Sequence, residues 1–185
     1  MTRIYLYSVL FVVAPIVSMA ETEPVQQMTE QAECYSLPQS LQTVVAAMSA
    51  PGQNMRARAV RDKRVPLIPL VQRVNVTLLP AAEVSLQEIR RGRTDGSSGP
   101  FAGLLAFEAP QDGVYRISLG ARTWVTVLDR DHEIPRVRPV HRLHRCGPIH
   151  KSNEFALKKG NMYWIELSGS EAPTITLLIS PEEGT

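Results

Sequence analysis

Metal-ligand side chains are concentrated in one segment of this 185-residue chain. All four histidines, His132, His141, His144 and His150, fall between two predicted strands. Imidazole with a nearby thiolate suits zinc or copper, and three ligands with one open position would make a catalytic site. The spacing H-x-x-H-x-C matches no standard zinc motif, however, and the arginines interleaved among the histidines would repel a cation. We expect a solvated or partner-contacting loop at residues 129–151, with a zinc or copper site at the four histidines as the alternative.

The two cysteines, Cys34 and Cys146, predict a disulfide. An even pair in an exported chain is usually oxidised. The bridge would close a loop that spans most of the domain, and the chain-entropy model gives such a loop a stabilisation of about 4–5 kcal/mol. A disulfide would also remove Cys146 from any metal site, because the sulfur would no longer be a thiolate.

Aromatic and basic side chains form the second group of candidate ligand-binding residues. A platform on which sugar rings stack could be formed by Tyr115, Trp124, Tyr163 and Trp164. Arg142 and Arg145 are further candidate ligand contacts. The two tryptophans are more often core anchors of a β-sandwich, and we favour that interpretation. The sequence has no G-x-S-x-G nucleophile elbow. We therefore predict a protein that is not an enzyme and needs no cofactor.

The first twenty residues have the pattern of a secretory signal peptide. Arg3 supplies the positive start, residues 4–17 are uncharged and apolar, and Ser18-Met19-Ala20 is a small-x-small cleavage site. The apolar run is shorter than the roughly 20 residues that span a bilayer. We expect cleavage after Ala20, no transmembrane span, and a periplasmic or secreted protein. Without Arg3, the 20 basic residues become 19 against 18 acidic ones, so charge gives no reason to expect nucleic acid as a partner.

Residues 21–65 are predicted as an N-terminal segment with one short helix and a basic linker. The helix is predicted from apolar residues at the i, i+3, i+4, i+7 spacing, namely Leu41, Val44, Val45 and Met48, and Pro51-Gly52 ends it. Six basic residues and one acidic residue lie between positions 56 and 73. Such a run is typical of a solvated linker.

Residues 66–185 are predicted as an all-β, antiparallel β-sandwich of jelly-roll type. The central stretch, residues 101–128, contains three apolar runs of strand composition separated by turns at Pro110–Gly113 and at Gly120. Because these turns are short, we expect the three strands to pair in sequence as a meander. Further strands are predicted from alternation at residues 74–80, 84–89, 155–157, 162–167 and 172–180.

Three stretches of the sequence resemble a known class of sandwich domain. FEAPQDGVYRISL, FALKKGNMYWIEL and the final TITLLIS are similar to the bacterial pre-peptidase C-terminal type, where F-x-x-P-x-x-G-x-Y precedes L-x-x-G-x-x-Y. The resemblance covers residues 101–180 and implies a jelly-roll-like fold without catalytic residues. The chain is also similar to small exported proteobacterial proteins with a Cys before the His-Lys of residues 146–151, sometimes labelled homogentisate dioxygenases. The cupin ligand pattern of such a dioxygenase is absent, so we do not expect that activity.

These observations together predict a non-enzymatic binding or accessory module that acts outside the cytoplasm. Its ligand would be a polysaccharide, a cell-envelope component or a protein partner. The alternative is a periplasmic metal-binding protein that uses the histidine-rich loop.

Overall fold

The computed structural model describes residues 37–62, 64–87, 99–142 and 147–182, with only the backbone of residues 139–142. Over these ranges one α-helix, α1 (Gln39–Ser49), precedes eleven strands. The strands are β1 (Gln53–Arg56), β2 (Val74–Thr77), β3 (Leu79–Pro80), β4 (Phe101–Glu108), β5 (Gly113–Leu119), β6 (Trp124–Asp129), β7 (His132–Glu133), β8 (Arg136–Arg142), β9 (Lys151–Leu157), β10 (Met162–Ser170) and β11 (Thr174–Pro181).

The strands form two facing sheets in jelly-roll order. The six-stranded sheet has the order β1-β2-β11-β5-β9-β8, and the five-stranded sheet has the order β3-β4-β10-β6-β7. Among the named strands, every pair except the parallel β1–β2 pair is antiparallel. The chain alternates between the sheets from β4 to β6 and again from β9 to β11, which is the wrapping of a jelly roll. The predicted all-β antiparallel sandwich with one short helix is confirmed.

The main core lies between the two sheets and follows the period of two of each strand. The inward-facing residues of β5 and β10 are at most 1% exposed, namely Tyr115, Ile117, Leu119, Tyr163, Ile165 and Leu167. Phe107 adds an edge-to-face contact with Tyr115, at 5.3 Å between ring centroids. The residues between these positions must therefore point to the outer faces of the sheets.

The three strands predicted at residues 101–128 are present as β4, β5 and β6, but the predicted meander is wrong. β4 and β6 flank β10 in the five-stranded sheet, whereas β5 lies in the six-stranded sheet. The turns on either side of β5 therefore cross between sheets. The first crossing follows β4, at Ala109. The Ala109 carbonyl accepts a hydrogen bond from Gly160 N (2.8 Å), and the Ala109 N–H donates to Asn161 O (3.2 Å). These bonds fix Ala109 to the turn that precedes β10.

The loop predicted at residues 129–151 is wrong for part of its length, since it contains β7 and β8. β8 is an edge strand paired with β9, and its register shifts twice between Arg136 and His141. An edge strand tolerates Pro139 because only one of its sides must supply ladder hydrogen bonds. The proline and the register shifts also hinder another chain from adding to this edge.

The segment interpreted as a linker instead covers an edge of the sandwich. β1 adds a parallel strand beside β2. Arg58 then exchanges two backbone hydrogen bonds of 2.9 Å with Leu104 on the open side of β4. Farther along, Ile68 N donates to Ala106 O (2.8 Å) on the same side. These irregular residues satisfy backbone groups of β4 that would otherwise be exposed.

The strand predicted at residues 84–89 is wrong for its described part, residues 84–87, which we call the strap. A 3-10 turn at Ala81–Glu83 leads into it. Its buried Val84 and Leu86 pack on Leu104, on the outer face of the five-stranded sheet. The alternation that suggested a strand therefore reflects one buried side of an irregular segment.

The predicted helix is confirmed as α1, which packs on the outer face of the six-stranded sheet. Its buried residues Val44 and Met48 form a separate cluster with Ile149 and Leu178. The predicted signal peptide, residues 1–20, lies outside the described residues. Among the residues that are described, no helix has the length and apolar character needed to cross a membrane.

Candidate functional site

Trp164 lies on the outer face of β10, between the buried inward-facing residues Tyr163 and Ile165. Its cross-strand neighbours are Ala106 on β4 and Leu128 on β6. Trp164 is half-buried, so part of its ring is open to solvent at the end of the sheet where β10 begins. The interpretation of this tryptophan as a core anchor is therefore wrong.

The hairpin that joins β6 to β7 lies beside Trp164. Asp129 pairs with His132, which leaves Arg130 and Asp131 as the two residues of the turn. Arg130 has a φ of 53°, in the left-handed region where an L-residue with a side chain costs roughly 1–2 kcal/mol. Glycine would occupy this position at least cost, so an arginine here is an unfavourable choice for the backbone alone.

Two distant side chains hold the hairpin tip in this conformation. Arg61 donates from Nη1 to the carbonyl of Arg130 at 2.6 Å, and its Nη2 lies 3.2 Å from a carboxylate oxygen of Asp131. Gln87, at the end of the strap, donates from Nε2 to the carbonyl of Asp131 at 2.8 Å. The tip is therefore fixed from two directions before any ligand arrives, as a preorganised site requires.

The strap is in turn fixed by a buried acid. Glu166 is 1% exposed on the outer face of β10, two residues after Trp164. Both of its carboxylate oxygens accept the N–H of Gln87, at 3.0 and 3.1 Å. A carboxylate buried in this way needs hydrogen bonds to offset its lost hydration. Glu166 therefore couples the sheet to the strap, and through Gln87 to the hairpin tip.

Trp164 and Arg130 together separate two open depressions, which we call the Trp164 cleft. The larger has a volume of about 710 Å³ and the smaller about 370 Å³. Besides these two residues, the larger is lined by Asp129, His132, Ile134, Gly160, Asn161 and Met162. The smaller is lined by Val60, Arg61, Ser85 and Asp131.

The larger depression combines an aromatic ring with fixed polar groups. Asn161 donates from Nδ2 to Asp129 Oδ2 at 3.1 Å, so the amide and the carboxylate hold each other in place. Tyr163 contributes from the core, because its hydroxyl accepts the N–H of Lys158 at 2.8 Å and so fixes the turn that carries Asn161. A ring beside paired donors and acceptors can bind a sugar, whose faces are apolar and whose edge carries hydroxyls.

The other predicted ligand contacts lie elsewhere. Tyr115 and Tyr163 are at most 1% exposed, so their rings are part of the core and unavailable to a ligand. Trp124 is 39% exposed, and it lies under Lys151 Nζ at 5.0 Å from the ring centroid, so its interpretation as a core anchor is also wrong. The side chain of Arg142 and the whole of Arg145 lie outside the described residues.

The four histidines are distributed over both sheets as far as the structure describes them. His132 is in β7 of the five-stranded sheet and lines the cleft. The backbone of His141 is in β8, and His150 precedes β9, with its N–H bonded to Leu119 O at 2.7 Å. The described residues contain no group of three or more metal-ligand side chains. His144 and the side chain of His141 lie outside them, as do Cys34 and Cys146, so the metal and disulfide hypotheses stay predictions.

Sequence reasoning missed most of the cleft. Asn161 follows the Lys-Lys-Gly turn, and Arg61 stands in a run that resembled a linker. Neither has a motif that would single it out. The available signal was Arg130-Asp131 between two strand-forming runs, since a two-residue connection without glycine is an unusual hairpin turn.

Comparisons with known proteins assign no family. No family model and no curated protein matches the chain. Among solved structures, a β-glucosidase from Kluyveromyces marxianus is similar over 58% of this chain and 14% of its own, at 14% identity and a TM-score of 0.30. A likeness at that level supports no inference about this chain.

Proposed function

We propose that this protein is a non-enzymatic carbohydrate-binding module that takes a polysaccharide of the cell envelope or the extracellular space in the Trp164 cleft. The observation that carries the proposal is the partly exposed ring of Trp164 beside the mutually bonded Asp129 and Asn161. The predicted signal peptide supports an exported role, because such a ligand occurs outside the cytoplasm.

The carboxylates of the cleft favour binding over hydrolysis. A glycosidase of the common type needs two carboxyl groups that flank the glycosidic bond. Asp129 and Asp131 both come from one hairpin, and Asp131 is paired with Arg61 at 3.2 Å. Asp129 lines the larger depression and Asp131 lines the smaller one, so the two carboxylates do not face each other within one depression.

The test is binding of a panel of bacterial and plant oligosaccharides by calorimetry, with Trp164→Ala as the key variant. We expect Trp164→Ala to weaken binding by about 2 kcal/mol, or roughly thirtyfold in Kd, as for a central aromatic contact. Trp124→Ala is the matched control, because it removes the other exposed tryptophan at a site away from the cleft.

Two results would contradict the proposal. If Trp164→Ala and the parent chain bind every oligosaccharide equally, the cleft is not the site. If new reducing ends accumulate during incubation, and Asp129→Asn abolishes them, the protein is a hydrolase.

A further inference from the structure

We infer that Arg130 binds a carboxylate of the ligand, so that the glycan recognised in the Trp164 cleft is an acidic one built from uronic sugars. The inference rests on the proposed function and names its ligand class. It starts from the backbone of Arg130, whose φ of 53° makes it one of two described non-glycine residues in the left-handed region. Strain of this kind is often kept where the side chain has a function.

The side chain of Arg130 gains nothing within the described part of the protein that would offset this strain. It is exposed, and its guanidinium has no described hydrogen-bond or ion-pair partner. The contacts that fix the tip use only the backbone carbonyl of Arg130. The protein therefore holds an unfavourable backbone conformation that places a free cation at the boundary of both depressions.

The two depressions differ in net charge, and an anion binds more favourably in the more positive one. The smaller depression is lined by Arg61, Arg130 and Asp131, which gives a net charge of +1. The larger has Arg130 and Asp129, and their charges cancel when His132 is neutral. Because Arg61 is already paired with Asp131, the charge of the smaller depression that is left for a ligand is that of Arg130.

A sugar acid fits this distribution of groups. Its ring would stack on Trp164, which both depressions share, and its hydroxyls would face Asp129 and Asn161 in the larger one. Its carboxylate would lie in the smaller depression, where the planar guanidinium of Arg130 can bind both oxygens at once. A lysine could supply the charge but not that paired geometry.

The test uses oligomers of each common uronic acid, each beside its carboxyl-reduced neutral counterpart and a sulfated neutral oligomer of the same length. We expect at least one uronate to bind tenfold or more tighter than its reduced counterpart, with a difference that shrinks as salt is added. Arg130→Ala should abolish the difference, and Arg130→Lys should restore only part of it. Trp164→Ala should weaken both members of the pair.

Arg130→Gly separates the ligand role from a structural one. It should remove the preference for the acid and raise the unfolding temperature, because glycine relieves the left-handed strain. Val71→Gly is the matched control. Val71 also has a left-handed φ, of 55°, but it does not line the cleft. It should raise the unfolding temperature without changing binding.

Each failure has its own meaning. Equal binding of acid and reduced oligomers, with both weakened by Trp164→Ala, would overturn the inference and leave the proposed function intact. Tighter binding of the sulfated oligomer than of every uronate would also overturn it, in favour of a sulfated glycan. If no oligomer binds, the proposed function itself fails.

Discussion

At the scale of single residues, the outer face of the six-stranded sheet holds a group of four charges, of which Arg116 and Glu154 are buried. Arg116 is 4% exposed, and its Nη2 lies 2.9 Å from carboxylate oxygens of both Glu154 and Glu182. Arg138, on the edge strand β8, lies 3.2 Å from the other oxygen of Glu154. These ion pairs connect Glu182, which follows β11, to Arg116 on β5, and connect Glu154 on β9 to both Arg116 and Arg138 on β8.

This group predicts a pH dependence of stability through Glu182. Burial raises the pKa of Glu182 above its ordinary value of 4.5, and Glu154 raises it further, against the opposing effects of Arg116 and Arg138. A raised pKa in the folded state means that Glu182 contributes stability below pH 4.5, which is lost as the pH rises through the raised pKa. Glu182→Gln should therefore flatten the fall in the free energy of unfolding just above pH 4.5, measured by urea denaturation across the acidic range.

Glu171→Gln is the control for that experiment, because it removes an equal charge from an exposed site on the loop before β11. Glu171→Gln should leave the pH dependence of the free energy of unfolding as it is in the parent chain. The interpretation would be contradicted if Glu182→Gln and the parent chain lost stability in parallel over the same pH range.

At the scale of elements, the strap and the hairpin tip behave as one support for the cleft. Gln87→Ala removes the 2.8 Å hydrogen bond to the Asp131 carbonyl but keeps the backbone N–H that binds Glu166. A lost hydrogen bond of this type is worth about 1 kcal/mol. We expect faster hydrogen exchange at residues 130–133 and, where a ligand is known, about fivefold weaker binding.

Gln72→Ala, at an exposed position just before β2 of the six-stranded sheet, is the matched control and should change neither quantity. Unchanged exchange at the tip in Gln87→Ala would show that the hydrogen bond of Gln87 does not hold the hairpin. The strap would then have no part in organising the cleft.

Several strands of the sandwich could be predicted from the sequence, but their pairing could not. The alternation of apolar and polar residues predicted the positions of β2, β5 and β11, because one side of each strand is buried against the core. It could not decide which strands pair, since the short turns around β5 are as compatible with crossing between sheets as with a hairpin. It also missed β8, where one proline and several charges are tolerated because the strand is at an edge.

The cleft was harder to predict than the strands for a related reason. Trp164 stands in an apolar run, MYWIEL, where the types of its neighbours favour burial. It is accessible because it lies near the start of β10 on the outer face, where described residues of the strap reach Glu166 but the ring remains partly open. Such accessibility depends on where a distant segment stops, which local sequence does not encode.

At the scale of the whole molecule, the N-terminal helix and the segment before β9 meet on the six-stranded sheet. Val44 and Met48 of α1 pack with Ile149, and a Cβ on Gly147 would lie 3.1 Å from Val45. The chain that immediately follows Cys146 therefore contacts the helix that begins five residues after Cys34. A bridge between the two cysteines is compatible with this contact, and it stays a prediction because both cysteines lie outside the described residues.

We expect protein exported to a bacterial periplasm to have a mass lower by two hydrogen atoms than the reduced chain, with Cys34 and Cys146 peptides linked after proteolysis. Reduction should lower the free energy of unfolding by about 4–5 kcal/mol, because the open chain regains the entropy that the bridge removes from the unfolded state. The double variant Cys34→Ser, Cys146→Ser should match the reduced protein and be insensitive to reductant. Complete alkylation of both thiols in untreated exported protein would contradict the bridge. Apolar packing of α1 and the hydrogen bonds from Arg73 to the carbonyls of Met48 and Ala50 would then hold the helix.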